Sequence, residues 1–257
     1  MAKIIAVANQ KGGVGKTTTS VNLCACLAQA GKKILLLDID PQGNATGGLG
    51  VAKNKQSVSM YDVLINGAPL EGVVVPTMIE TLFLVPSHIE MAGAEVEFVG
   101  MMAREQRLKQ AIAPVLGEYD YIFIDCPPSL GLLTLNALTA ADALLVPIQC
   151  EYYALEGLSQ LMNTMKLVRR NLNPSLDLQG VVMTMFSMRA NLCMQVVTEV
   201  KKYFKQKVYN TMIPRSIRLG EAPGFGLPIS LYAPKNVGAR AYEELAQEFI
   251  KREANDG

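Results

Sequence analysis

Continuous, largely apolar runs of about four to eight residues recur along the chain, most of them closed by a turn residue or a carboxylate. They lie at residues 4–8, 34–37, 82–85, 121–124, 143–148 and 180–186. Runs without polar alternation predict strands buried on both faces, as in a parallel sheet. Between them the apolar positions shift to helical spacing, from the loop after Ala8 to Gly31 and over 89–98, 103–116, 154–170, 192–204 and 239–252. In the last of these Tyr242, Leu245, Ala246, Phe249 and Ile250 share one face, a stripe that docks on a core. Residues 43–60 read as a loop, 59–65 as a short helix capped by Ser59, and 208–213 as a further short strand. Repeated strand–helix order predicts an α/β fold: a doubly wound, mostly parallel sheet with helices on both faces. No linker, repeat or low-complexity tract interrupts it, so one domain over 1–257 is expected.

With 257 residues, 50% hydrophobic and 18% charged, the chain has the composition of a compact protein and not of a disordered one. No apolar run approaches the ~20 residues that span a membrane, and Met1-Ala2-Lys3 enters the first strand without a signal-peptide core. A cytoplasmic protein is expected. The five cysteines, Cys24, Cys26, Cys126, Cys150 and Cys193, include no CxxC pair, which argues for core thiols over a disulfide framework or a zinc site. His88 is the single histidine and reads as structural. Net charge is +1, but it is unevenly spread: residues 189–218 hold seven basic side chains and one acidic, Glu199. A basic face in the C-terminal half follows.

The polar break after the first strand reads Gln10-Lys11-Gly12-Gly13-Val14-Gly15-Lys16-Thr17-Thr18-Thr19. A glycine-rich turn between strand and helix lets backbone N–H groups and a helix N-terminus converge on phosphate. Glycines at 12, 13 and 15 permit close backbone approach, Lys16 supplies an ammonium for the β- and γ-phosphates, and Thr17 supplies a hydroxyl for Mg²⁺. A nucleoside triphosphate is therefore expected over residues 11–18, including Val14 and Thr18. The second strand closes on Asp38-Ile39-Asp40, at the strand end where open α/β sheets bind ligands. These two carboxylates face opposite sides of the strand and need not share a task. The run 121–124 closes on Asp125, placed to hold Mg²⁺ directly or through a water.

The strict G-x-x-x-x-G-K-[ST] pattern fails at its first position, where Gln10 stands, and Lys11 adds a second lysine at the start of the loop. This variant resembles the deviant phosphate loop of the ParA/MinD ATPases, a group that also contains the nitrogenase iron protein. With the Asp40 and Asp125 segments and Gly220-Glu221-Ala222-Pro223, the resemblance spans nearly the whole chain and points to short Soj-type ParA partitioning ATPases. It implies a P-loop NTPase fold with ATP and Mg²⁺ as cofactors. It also implies that Lys11 reaches across a dimer interface to the partner's nucleotide and that Asp40, in switch I, positions the attacking water beside the γ-phosphate and the metal. The plainer alternative is that Asp40 caps the turn that follows. Switch II would follow Asp125 to about Asn136, and the strand ends around Met185 and Pro214 would wrap the adenine. Arg189 and Arg218 match arginines that contact DNA without sequence preference, with Lys201, Lys202 and Lys235 as further candidates. The implied cycle is ATP-dependent homodimerisation, binding to double-stranded DNA on the nucleoid, and hydrolysis stimulated by a ParB-type partner.

Three other readings differ in kind. A MinD-like membrane-associated division ATPase would need a basic amphipathic extension after the last helix, and the residues there are acidic and few. An electron-transfer protein would need cysteines able to ligate a cluster shared between subunits, for which Cys126 and Cys150 are the candidates. A nucleotide-gated DNA clamp would bind without appreciable hydrolysis.

Overall fold

The computed structural model describes residues 1–53, 58–151, 154–188 and 190–256. Among them seven strands form one sheet: β1 (Lys3–Val7), β2 (Ile34–Asp38), β3 (Val75–Pro76), β4 (Leu82–Val85), β5 (Tyr121–Asp125), β6 (Ala143–Gln149) and β7 (Asp177–Thr184). Their order is β3-β4-β2-β5-β1-β6-β7, parallel throughout except for β3, which pairs antiparallel with β4. Pro76 suits that edge, since it lacks the N–H that a central strand would have to donate. β1 lies between β5 and β6; the connection after β1 runs to β2 on one side and that after its neighbour β5 runs to β6 on the other, so the loop after β1 opens at a topological switch point.

The helices are α1 (Lys16–Gln29), α2 (Asn44–Gly48), α3 (Met91–Glu97), α4 (Arg107–Ile112), α5 (Leu132–Ala140), α6 (Ala154–Asn171), α7 (Asn191–Phe204), α8 (Ile217–Glu221), α9 (Ile229–Tyr232) and α10 (Val237–Asp256). Strand side chains alternate between two cores. Ala6, Leu35, Leu37, Ile122 and Ile124 pack with α3 to α7, whereas Ile5, Val7, Leu36 and Phe123 pack with α1 and α10. β2 is buried at every position, as its unbroken apolar run predicted. The stripe on α10 docks as expected: the Phe249 ring meets Tyr121 edge-on at 5.2 Å and Phe123 at 5.9 Å. The Tyr242 hydroxyl lies 3.2 Å from Thr19 Oγ1 of α1, which ties the last helix to the first.

Several expected elements are altered. Residues 208–213 form no continuous strand: Tyr209 N–H donates to Val181 O at 2.9 Å and Ile213 N–H to Met183 O at 2.8 Å, but Asn210 and Thr211 between them leave β7. The cause lies in α10, where Glu248 accepts the backbone N–H groups of Asn210 and Thr211, both at 2.9 Å, and draws them off the sheet. The helix expected over 103–116 is a single α-turn region, α4, between 3₁₀ turns at Arg104–Gln106 and Ala113–Val115. Pro114 lacks the N–H that would continue it. The loop expected over 43–60 contains α2, and Asp38 holds it by accepting both Thr46 N–H at 2.8 Å and Thr46 Oγ1–H at 2.7 Å. Ser59 caps its turn as expected, accepting from Tyr61 N–H at 3.3 Å while Asp62 accepts from Ser59 N–H at 2.9 Å.

One close backbone approach joins distant parts of the chain. Gly50 (φ 77°), after α2, lies against Gly226 (φ 66°), after α8. A Cβ on Gly226 would stand 2.7 Å from the Gly50 Cα, and one on Gly50 would stand 3.0 Å from the Gly226 carbonyl oxygen. Neither position accepts a side chain without parting the two segments.

Candidate nucleotide site

The loop after β1 ends at Gly15, whose left-handed φ of 87° turns the chain into α1. A non-glycine residue would be strained there. The first half of the loop is fastened to β6, because Asn9 Nδ2 donates to Pro147 O at 2.7 Å and Asn9 Oδ1 accepts from Lys11 N–H at 3.1 Å. Val14 is fastened to β7, its carbonyl accepting from Thr184 Oγ1 at 2.8 Å. Lys16 is 7% exposed and its Nζ donates to Lys11 O at 3.2 Å, inside the curl of the loop. Burial lowers its pKa, while the nearby Asp125, Cys126 and Asp40 act in the opposite sense.

Thr17 and Asp125 meet: Thr17 Oγ1 donates to Asp125 Oδ2 at 2.8 Å. Ser20, one turn along α1, donates to Asp125 Oδ1 at 2.7 Å and to Lys16 O at 3.1 Å. Asp125 is fully buried, and its carboxyl is pushed up to about 7, chiefly by that burial and next by Asp38; Ser20 and Thr17 oppose the rise. Asp38 is raised to about 6, again chiefly by burial, against its hydrogen bonds to Thr46. Asp38 and Asp40 do divide their tasks. Asp38 holds α2, whereas Asp40 accepts from Gln42 N–H at 2.9 Å and so caps the turn that follows β2.

The donor set fits a Mg²⁺ ion. Thr17, Asp125 and Asp40 offer hard oxygens beside a phosphate cradle, and Mg²⁺ is held by one or two protein groups plus phosphate oxygens. Among the described residues no cluster of three or more His, Cys, Asp or Glu forms an all-protein metal cage, in keeping with that division of labour.

Beside Gly15 and Thr18 opens a cavity of about 410 Å³, lined also by Thr184, Met185, Ile213 and Pro214. Met185 and Pro214, expected at the adenine, thus share one wall of a cavity adjoining the phosphate loop. Phe186 N–H donates to Ile213 O at 2.9 Å, which brings the two strand ends together. On the other side of α1 a cavity of about 440 Å³ lies between Thr17, Asn22, α2, Lys53 and Pro223.

Arg189 lies outside the described residues. Arg218, on α8, is exposed, with its guanidinium paired to Glu221 Oε2 at 2.7 Å. Lys201, Lys202 and Lys235 are exposed. All five cysteines are free and buried, Cys126 within the core and Cys150 beside Cys193, so none faces outward to share a cluster with a second subunit. Neither Ser20 nor Glu151, which pairs with Lys11, is evident from the sequence, and Asp38 stands there as a strand-end carboxylate with no partner named. Ser20 alone left a signal, one helical turn beyond Lys16.

A strand–loop–helix phosphate cradle at a switch point, with Thr17 on Asp125 and a nearly buried lysine, defines a P-loop ATPase with a variant loop. A family model described as an AAA domain matches residues 2–178. The chain is 58% identical over 248 residues to the sporulation initiation inhibitor protein Soj of Bacillus subtilis, covering 96% of this chain and 98% of that one. It is 52% identical over 253 residues to the chromosome partitioning protein ParA of Myxococcus xanthus, covering 98% and 89%. Among solved structures, a cobyrinic acid a,c-diamide synthase from Mycobacterium smegmatis, with bound ATP analogue and magnesium, superposes with a TM-score of 0.87 at 37% identity, covering 100% and 98%. The chain belongs to the ParA/Soj-type chromosome partitioning ATPases. Among the described residues no helix is long and apolar enough to cross a membrane.

Proposed function

We propose that the chain, as one ATPase domain over 1–257, binds ATP with Mg²⁺, dimerises through the nucleotide, and as a dimer holds double-stranded DNA without sequence preference. A ParB-type partner then stimulates hydrolysis and returns it to the monomer. The observation that supports this best is the convergence of Lys16, Thr17 and Asp125 beside the cavity that carries Met185 and Pro214.

The loop residues Lys11 to Thr18 wrap the triphosphate, with backbone N–H groups and the α1 N-terminus aimed at its charge. Lys16 sets its ammonium against the β- and γ-phosphates. Thr17 and Asp125 hold Mg²⁺ with Asp40 near it, and the ion, when bound, neutralises phosphate charge. Asp40 gives up its cap on Gln42 to orient the attacking water. Met185 and Pro214 bound the base, and Lys11 reaches the triphosphate of the second subunit.

Arg218, with Arg189, Lys201, Lys202 and Lys235, meets DNA phosphates; dimerisation doubles that basic surface and so makes DNA binding depend on ATP. The protein would therefore act on the nucleoid within the cytoplasm. Sedimentation with and without DNA, in ATP, in ADP and without nucleotide, tests the cycle. The expected result is a dimer in ATP alone and co-sedimentation with DNA of any sequence under that condition alone. Equal DNA binding in ADP would overturn it.

A further inference from the structure

We propose that Glu151 is an intramolecular latch on Lys11, keeping that lysine within its own subunit until the triphosphate of a second copy competes for it. The inference rests on the trans role of Lys11 given above. Lys11 Nζ is ion-paired with Glu151 Oε2 across 140 positions of sequence. The carboxylate is aimed: its other oxygen, Oε1, accepts from Gln149 Nε2, and Glu151 N–H turns back onto the Gln149 carbonyl at 2.8 Å. Gln149 closes β6 and is itself nearly buried. The lysine is aimed from the same strand, through the Asn9 side chain that bridges Pro147 O and Lys11 N–H. One strand end therefore fixes both the backbone and the charged head of Lys11.

The pair is placed to be broken. The Lys11 and Glu151 side chains are 35% and 45% exposed, so an incoming polyanion has access. A single carboxylate offers one negative charge and a triphosphate offers several, so the partner's nucleotide wins once it is in reach. Until then the latch lowers apparent dimer affinity by the fraction of subunits in which Lys11 is free. Exposed ion pairs are weak, which makes this a bias of about two- to five-fold per latch and not a lock.

The test is sedimentation equilibrium of the full chain with Mg²⁺ and a non-hydrolysable ATP analogue. Glu151→Gln keeps the shape and an oxygen acceptor but removes the charge. Its dimer Kd should fall about two- to five-fold for each latch released, with monomer nucleotide affinity unchanged. Glu151→Asp, which retains the charge, should lie between Glu151→Gln and the parent. A gain of dimerisation is not what a damaged fold produces. An unchanged Kd in Glu151→Gln would overturn the latch, and a raised Kd would also overturn it by making Glu151 a contact of the dimer. Lys11→Ala separates the latch from the trans role of Lys11. If it dimerises like the parent, the trans role of Lys11 falls and the latch with it; if it stays monomeric while Glu151→Gln is unchanged, the latch alone falls.

Discussion

Lys16 carries a charge into a nearly buried position, where burial depresses its pKa and Asp125 and Asp40 help to sustain the charged form. Such an arrangement is worthwhile only if a polyanion arrives to share the charge. Lys16→Ala should lower ATP affinity about 10- to 100-fold, the range for losing a charge-assisted hydrogen bond or two, as read by nucleotide titration. Asp40→Ala should leave that affinity intact and cut phosphate release by at least about 100-fold, the lower bound for losing a group that acts on the attacking water. The variant should accumulate as an ATP-bound dimer, and parent-like turnover would return Asp40 to the plain role of capping Gln42. At this scale the sequence showed Lys16, Thr17 and Asp125, because loop spacing and a strand ending in Asp are local signals. It did not show Asp38 on Thr46, Ser20 on Asp125 or Glu151 on Lys11. The second and third join positions more than a hundred residues apart, and none of the three has a spacing rule.

Elements were legible where their pattern was continuous and obscured where another element overrode it. β1, β2, β4 and β6 follow from unbroken apolar runs, and α10 from its stripe. The 208–213 segment has strand composition, yet Glu248 on α10 takes the N–H groups of Asn210 and Thr211 from its middle, a competition that local sequence cannot display. The Glu248 side chain is 16% exposed. Burial alone would raise its pKa, but the N–H groups of Asn210 and Thr211, with Arg252, outweigh it and hold the carboxyl below its usual value. A depressed folded pKa stabilises the fold above the unfolded pKa, and that contribution is lost as pH falls through the folded value. Glu248→Gln should therefore cost about 1–3 kcal/mol near pH 7. The gap to the parent should narrow as pH drops below about 4.3, the ordinary Glu value. Denaturant unfolding at several pH values checks this, and a gap independent of pH would remove the charge from the explanation.

At the scale of the molecule, alternation of strands and helices predicted the doubly wound sheet, but strand order and the antiparallel β3 depend on tertiary pairing. The basic C-terminal half was visible as a charge count, whereas the Glu221 partner of Arg218 was not. Arg218→Glu should weaken DNA binding on every sequence and reduce the slope of log affinity against log salt by about one per lost phosphate contact, while ATP-driven dimerisation survives. Gel shifts at several salt concentrations beside sedimentation decide it: a collapse of dimerisation would move Arg218 to the subunit interface. The contact of Gly50 with Gly226, and that of Tyr242 with Thr19, also set an order of events during synthesis. The phosphate loop and the turn after β2 leave the ribosome well before the segments that brace them, after α8 and on α10. A nascent chain thus displays its phosphate loop long before it can assemble the rim of the cleft, which closes only when the residues after α8 and on α10 have folded back onto α1 and α2.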